Sequence, residues 1–510
     1  MSAIDPRRVQ ALAERLIAIR SVSPDPHAEA LCAAAIHEAI PASLERGEWR
    51  TEDGRPVVWG LMRGRSRRTL VLLTHYDTVG IDEYRALDAA DPEVAFHSEA
   101  LRSRLLALDP ERLPTAVRED LERERRAPGT WLFGRGALDM KSGIAAGLAA
   151  LETLAAERAS WEGSVLFLSC PDEEHQSAGM LRAVPEIAAL AADLELVGAL
   201  NLDYVEHPTA YDGVAGKRLI GLYVVGSPTH VGNPFGGADA AQLAAAIVDR
   251  VTTSAALTET DAGGVPPVAL RLRDVKPRYD VQTALEAEVE LNLLAFERPL
   301  SRVLELLRSE VSAAVADVTE RMSRLAEAAH ITPAAAAPRV MTYDEVAPGR
   351  AIVASDEPHA DPRAASWSAI RAATRLASRV GPAVVIALLP PYYPQSPPTP
   401  GGLGERLRPW LEQRGLGLER WYRYISDASY LAWRGDSPAE LKALMPGWGR
   451  EYRLPVAESA ALDLDVVTLG PWGRDAHGLF ERVERRFAFE FLPGLIAGAT
   501  REAVMEARRG

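Results

Sequence analysis

The chain of 510 residues has only two cysteines, Cys32 and Cys170, no long apolar run and no surplus of positive charge. Two cysteines at this length make neither a disulfide framework nor a CxxC metal knuckle, and a reducing compartment is expected. Lys and Arg number 57 against 71 Asp and Glu, a formal net charge of −14. The basic footprint that phosphate binding needs is missing, so no nucleic-acid partner is expected. Short basic runs such as Arg63 to Arg68 read as solvated surface. The first stretch carries Glu14, Arg15 and Arg20 among its apolar positions, which excludes a signal-peptide core and a membrane span; a cytoplasmic protein is expected. No G-x-S-x-G elbow occurs, and Gly134-Arg-Gly136 fails the dinucleotide fingerprint because Asp139 stands at the third glycine position.

What is present is the composition of a folded protein, 47% hydrophobic and 25% charged, in a chain too long for one ordinary core. Up to about Val225, apolar runs alternate with amphipathic stretches, the pattern of an α/β sandwich. Strands are expected at Thr69–Thr74, Ser164–Ser169 and Val197–Leu202, with helices at Val9–Ile19, Ala28–Ile40, Gly143–Arg158 and Met180–Ala192. Asp82 to Pro128 is polar and acidic, and reads either as a surface insertion or as a cover over a nearby site. Lys217 to Ala329 has a different pattern, of the split βαβ type: strands at Leu219–Val225, Val265–Val275 and Ala284–Leu294, and helices at Ala238–Thr252 and Leu300–Ala329. The proline-bounded run Pro333 to Pro338 reads as a linker. After it the α/β pattern resumes, with strands at Ala383–Leu389 and Asp465–Leu469. The expected architecture is therefore α/β: a three-layer αβα catalytic domain, residues 1–215 and 333–510, interrupted by an α+β, ferredoxin-like lid domain, residues 216–332.

The chemistry-bearing residues stand where these strands end. His75 and Asp77 follow the first strand, Glu173 and Glu174 the second, Asp203 the third, and His477 the strand near Val466. Asp139 sits in the Gly-rich loop GRGALDMKSG, Gly134 to Gly143, ahead of a helix. Ligands of open α/β sheets bind at the carboxyl ends of strands, so residues far apart in sequence converge there. Any one of these residues alone is more often a capping or surface residue; six at strand ends weigh differently. Two imidazoles with four carboxylates suit divalent zinc, manganese or cobalt, and two ions ~3.5–4 Å apart need one bridging carboxylate.

The segments LVLLTHYDTV, GRGALDMKSG, LSCPDEE and DAHG, in that order, resemble the M20 family of dinuclear zinc peptidases and amidohydrolases. LIAIRSVSPD, from Leu16 to Asp25, is similar to the family's N-terminal segment, and the resemblance runs from about Leu12 to Val483. NLDY, SPTHVGNPFGG, ISDASY and PWGRDAHGLFER look like the arginine-utilisation branch of that family. The resemblance implies two divalent ions, zinc with cobalt or manganese as alternatives. It assigns His75 and Asp203 to one metal, Glu174 and His477 to the other, and Asp139 to both. It makes Glu173 the general base and Asp77 the partner that orients the His75 imidazole. Glu206 remains a rival to Asp203. It further implies that His230 stabilises the oxyanion, although a histidine among glycines also reads as a turn residue; Gly236 and Gly237 would let the backbone turn before the helix at Asp239 and approach a ligand closely. The family dimerises in many cases, so a homodimer through the lid domain is expected.

Two departures bear on substrate. Where many family exopeptidases hold a carboxylate with Arg, this chain has Ile425-Ser-Asp427-Ala-Ser429-Tyr430; where an Arg is common at the end of the lid's last strand, it has Asn292. Ser429 and Asn292 are thus candidate substrate contacts of changed specificity. The resulting expectation is hydrolysis of an amide or peptide bond in a small amino-acid-derived substrate. Deacylation of an N-acyl amino acid stands beside it, and so does a metal-containing binding protein without turnover.

Overall fold

The computed structural model describes residues 4–158, 161–332, 336–348, 361–377 and 381–505. They form two compact units, one of Met1–Val214, Ser396–Trp433 and Ala457–Gly510, the other of Ala215–Gln395 and Arg434–Val456. No helix among the described residues is long and apolar enough to cross a membrane.

The first unit is built on an eight-stranded sheet in the order Glu45–Arg50, Pro56–Met62, Ser164–Cys170, Arg68–His75, Glu195–Asn201, Val466–Thr468, Thr209–Val214, Gly417–Tyr422. Its four central strands, Ser164–Cys170 to Val466–Thr468, run parallel, and such strands are apolar on both faces because helices cover both. In Arg68–His75, Leu70 and Leu72 enter a core with Cys32 and Ile36 of helix Pro26–Ala39, Ile144 and Leu151 of helix Ser142–Ala156, and Ile496 of helix Leu492–Val504. Val71 and Leu73 alternate to the opposite face and are equally buried. Helix Ala178–Leu190 packs on the strands Pro56–Met62 and Ser164–Cys170 with Met180, Ala183, Val184 and Ile187 buried. None of these joins the first core, so the layers are helix, sheet, helix. Helix starts follow the capping chemistry legible in the sequence: Asp5 accepts from the Arg7 amide at 3.0 Å and Asp25 from the Ala28 amide at 3.1 Å, each followed by proline.

The second unit carries a five-stranded sheet in the order Arg339–Thr342, Ala383–Tyr393, Gly216–Val225, Glu286–Ala295, Val268–Asp274. Its four longer strands, with helices Ala240–Thr252 and Leu300–Ala328, make a split βαβ module whose fourth strand is Ala383–Tyr393, antiparallel to Gly216–Val225. Here the structure departs from the boundary expected at residue 332: Ala383–Leu389, assigned from sequence to the resumed α/β domain, completes the second sheet. The run AVVIALLPPYY is buried along its whole length, and a uniformly apolar strand suits the interior of either sheet, so its composition could not say which. Residues 336–348 and 361–377 follow it into the second unit, while Pro333–Ala335 of the expected linker lie outside the described residues.

One buried ion pair ties the segment Arg434–Val456 to this second unit. Arg218, fully buried in its strand, donates from Nε and Nη2 to the Asp436 carboxylate at 2.7 and 2.6 Å. Asp436 also accepts from the Leu300 amide at 3.1 Å and the Tyr392 hydroxyl at 3.1 Å. Removing one partner strands the other charge in the interior. Asp436→Ala is expected to cost the second unit about 3–5 kcal/mol in urea unfolding; a loss below about 1 kcal/mol would remove the pair from the account of how this segment is held.

Candidate active site

His75 is the last residue of strand Arg68–His75, and Cys170 ends the neighbouring strand, so the chain turns at once through Pro171 into Glu173 and Glu174. Asp203 stands two residues beyond strand Glu195–Asn201. The Asp475–Gly478 turn lies beyond strand Val466–Thr468, next in the same sheet. Asp139 comes from the loop before helix Ser142–Ala156, where Gly136 adopts a left-handed φ of +77° and a Cβ would meet Thr78 Cγ2 at 2.8 Å. Ser142 closes that loop by donating from Oγ to the Ala137 carbonyl at 2.6 Å.

These elements bring together two sets of ligand atoms, each set lying within 4.8 Å: His75, Asp139 and Asp203, and Asp139, Glu174 and His477. Asp139 belongs to both. His75 Nε2 lies 3.0 Å from Asp139 Oδ1, and His477 Nε2 lies 3.0 Å from both Asp139 Oδ2 and Glu174 Oε1. The contact with His75 lacks hydrogen-bond geometry, which leaves Asp139 Oδ1 a buried acceptor without a donor. An orphaned carboxylate oxygen between two imidazoles, ringed by further acids, fits a pair of divalent cations. Glu206 is no part of either set; it is exposed and pairs with Arg423 at 3.3 Å.

Burial first, and crowding of carboxylates second, set the electrostatics of the acids. Two like charges 4 Å apart repel by about 4 kcal/mol at an effective dielectric near 20, well above the ~1 kcal/mol of an ordinary hydrogen bond. Burial, with Asp139 beside it, pushes Asp203 up to about 8. Burial likewise raises Glu173, well above the ordinary glutamate value, and Glu174. The neighbouring carboxylates outweigh burial at the imidazoles: Glu174 and Asp139 hold His477 up at about 12, and Asp139 and Asp77 raise His75.

Asp77 does something other than what the resemblance implies. Its Oδ1 accepts from the Glu173 amide at 3.0 Å and its Oδ2 from the Glu174 amide at 3.1 Å, while His75 Nδ1 is 3.6 Å away, beyond hydrogen-bond reach. Both oxygens are committed to the backbone, so Asp77 fixes the Glu173–Glu174 peptide and acts on His75 only through its charge. Two supports escaped the sequence reading. Glu481 and Arg135 form a fully buried ion pair; Glu481 Oε1 accepts from the amides of Leu138 and Asp139 at 3.1 and 3.4 Å, and Arg135 Nη2 donates to the His477 carbonyl at 3.1 Å. The available signal was a charged residue inside each motif: Arg135 in GRG and Glu481 four residues past His477. Asp427, expected only as part of a segment lacking Arg, is 2% exposed and has an Oδ2 without a hydrogen-bond partner; burial raises it to about 7. Cys170 is a buried thiol whose pKa burial pushes up, the state of a structural cysteine.

The remaining candidates are distributed as follows. Ser429 is in the first unit, fully buried, with an unpartnered Oγ. His230, Gly236 and Asn292 belong to the second unit. His230 Nδ1 accepts from the Gly232 amide at 3.0 Å, and Asn292 has a buried Oδ1 with no partner. Of the two glycines, Gly236 lies in a short 3-10 turn without a positive φ, and at Gly237 a Cβ would sit 2.1 Å from the Ser227 carbonyl oxygen.

Residues 114–380, just over half of the chain, match the model of peptidase family M20/M25/M40. The uncharacterized protein YqjN of Bacillus subtilis is 29% identical over 482 residues, covering 88% of this chain and 86% of its own. Protein RocB of the same organism is 26% identical over 479 residues, 86% of this chain and 82% of its own. Among solved structures, a tripeptidase from Staphylococcus aureus has the same fold, with a TM-score of 0.55 over 99% of this chain and 100% of that one at 13% identity.

The shifts carry a pH dependence. A carboxyl whose pKa is higher folded than unfolded holds more protons in the folded state, so stability falls as pH rises between the two values, for Asp203 from 3.8 to about 8. The raised His477 acts with the same sign above 6.5. Chelator-treated protein should therefore show a falling Tm from pH 5 to pH 9, with added divalent metal raising it most at the alkaline end. A flat or rising profile would mean that burial and Asp139 do not raise Asp203, nor the neighbouring carboxylates His477, as the geometry requires.

Proposed function

The chain belongs to peptidase family M20/M25/M40, and from that membership we propose that it is a zinc-dependent hydrolase cleaving an amide or peptide bond of a small amino-acid-derived substrate, in amino-acid and, by its resemblance, arginine catabolism. The observation that carries this reading is the pair of ligand sets sharing Asp139 with Glu173 beside them. His75 and Asp203 would hold one ion, Glu174 and His477 the other, and Asp139 both; cobalt or manganese would suit the same donors. When bound, the ions would supply Lewis acidity to the scissile carbonyl and acidify the attacking water.

The chain's own groups do the rest. Glu173 takes the proton of the attacking water on its carboxylate and returns it to the leaving nitrogen; its backbone is held for that task by the Asp77 carboxylate. Burial raises the basicity of Glu173, which favours proton uptake near neutrality. Deacylation of an N-acyl amino acid is supported beside peptide cleavage by one feature: Asn292 and the segment Ile425–Tyr430 supply no Arg for a bidentate grip on a peptide's carboxylate terminus.

As partner we propose a second copy of the chain, joined through the second unit. Strand Val268–Asp274 is the edge of its sheet, and Val268, Leu270 and Leu272 are 48%, 55% and 47% exposed. Arg271 and Arg273 are already paired with Glu290 and Glu288, so an antiparallel pairing about Leu270 would join apolar residues without bringing bare charges together.

Glu173→Gln should keep its metal content and lose about 10²–10⁴-fold in turnover on amide substrates, with chelation abolishing the native activity and zinc restoring it. Unchanged turnover would remove Glu173 as the base, and tight binding of amino-acid derivatives without any turnover by the native protein would favour the binding-protein alternative. In light scattering, native protein should run at twice the 55.2 kDa chain mass and Leu270→Lys at the chain mass; a native monomer at all concentrations would exclude the dimer.

A further inference from the structure

The Asp82–Pro128 stretch folds into short helices around a core of its own, in which Tyr84, Phe96, Leu101, Leu105, Val117 and Leu121 pack against Trp131 and Phe133. Of its polar side chains, Glu124 is satisfied locally by Arg102 and the Gly129 and Trp131 amides, while Glu83, Tyr84 and Asp120 reach outside the insertion. The Tyr84 hydroxyl donates to the Gly478 carbonyl at 3.3 Å. Asp120, 2% exposed, accepts on Oδ2 from Arg482 Nη2 at 2.6 Å and Nε at 3.1 Å, and from Arg474 Nη1 at 3.2 Å. Glu83 pairs with Arg135, whose Nη2 also donates to the His477 carbonyl at 3.1 Å. Arg482, laid over the Trp131 ring at 5.4 Å, passes the grip of Asp120 on to the turn: its Nη1 donates to Asp475 Oδ2 at 2.5 Å and to the Phe480 carbonyl at 2.9 Å.

These outward contacts converge on one turn, and that turn needs them. Asp475 and His477 both adopt left-handed backbone, φ +59° and +63°, a conformation that non-glycine residues hold only against a cost of order 1 kcal/mol each. The carbonyls of His477, Gly478 and Phe480 are each held by a side chain, from Arg135, Tyr84 and Arg482 in turn. Tyr84 belongs to the insertion outright, while Arg135 and Arg482 are themselves held by its Glu83 and Asp120. Without the insertion, Arg482 and Arg474 would face each other with no Asp120 between them, and the Gly478 carbonyl would keep only the Glu481 amide, at 3.2 Å, as its donor.

We infer that the Asp82–Pro128 insertion is a positioning element for His477, with Tyr84 and Asp120 setting the turn so that the imidazole meets Glu174 and Asp139. This rests on the reading of His477 as a metal ligand. Partners that orient a ligating histidine are worth about 10–100-fold in metal affinity, and the effect is confined to one ion, because His75 and Asp203 have no contact with the insertion in this network.

Zinc titration of the metal-stripped native protein, Tyr84→Phe and Asp120→Asn, against a competing chromophoric chelator, tests it. The native protein should show two sites. Asp120→Asn should weaken one of them about 10–100-fold and leave the other unchanged; Tyr84→Phe, which keeps the ring in its core and removes only the hydroxyl, should weaken the same site by a smaller factor. Asp120→Glu should recover part of the loss. Should Asp120→Asn fail to fold, Tyr84→Phe and Asp120→Glu decide. Two native sites retained unchanged in the variants would overturn the inference while leaving the hydrolase reading intact, as would an equal weakening of both sites that follows a fall in Tm. A native protein binding no zinc would overturn the hydrolase reading itself, and the inference with it.

Discussion

The Asp139 carboxylate is the joint on which the first unit turns. It is the one group common to both ligand sets, and two histidines from opposite ends of the chain approach it at 3.0 Å. A carboxylate in that position cannot be placed by its own loop alone. Gly136 bends the loop, Glu481 takes its amides, and Arg135 carries the same buried pair across to the His477 turn. The catalytic geometry is thus written into backbone amides and carbonyls as much as into ligand side chains. The surrounding acids make this support useful: Glu173, Glu174 and Asp203 are buried beside Asp139, burial and neighbouring carboxylates both disfavour their charged forms, and a braced backbone keeps them together.

The two halves of that bracing have different origins. His75, Asp77, Glu173, Glu174 and Asp203 are gathered by the sheet, since parallel neighbours end at one edge and their next residues have nowhere else to go. His477 is gathered by side chains. Its strand, Val466–Thr468, ends several residues earlier, and the turn beyond it is irregular, with two left-handed residues in three. Sheet geometry places His75, Glu174 and Asp203, and a network of arginines with acids places Asp139 and His477.

The same division decides what could be read from the sequence. The strand ends, the Gly-rich loop and the convergence of His75, Asp139, Glu174, Asp203 and His477 were legible, because period-two apolar runs and short motifs are local signals. The bonds of the Asp77 carboxylate to the Glu173 and Glu174 amides were not legible, since a two-residue spacing from His75 says nothing of the amides that the neighbouring strand brings closer. Arg135, Glu481, Tyr84 and Asp120 were invisible as a set: their partners lie up to about 360 residues away, and an arginine within a motif looks like surface until burial is known. The destination of Ala383–Tyr393 was hidden for a related reason. An unbroken apolar strand announces that it is interior and gives no hint of which interior.

Chain order adds a further consequence. The His75, Asp139 and Asp203 set has emerged by residue 203, but His477 leaves the ribosome only 477 − 203 = 274 residues later. At about 5–20 residues per second, that is an interval of tens of seconds, during which Glu174 and Asp139 await their second imidazole. A newborn chain can satisfy one ligand set while the other is still being translated. A chain truncated anywhere between residues 204 and 476 would carry the acids of the second set without the histidine that completes it.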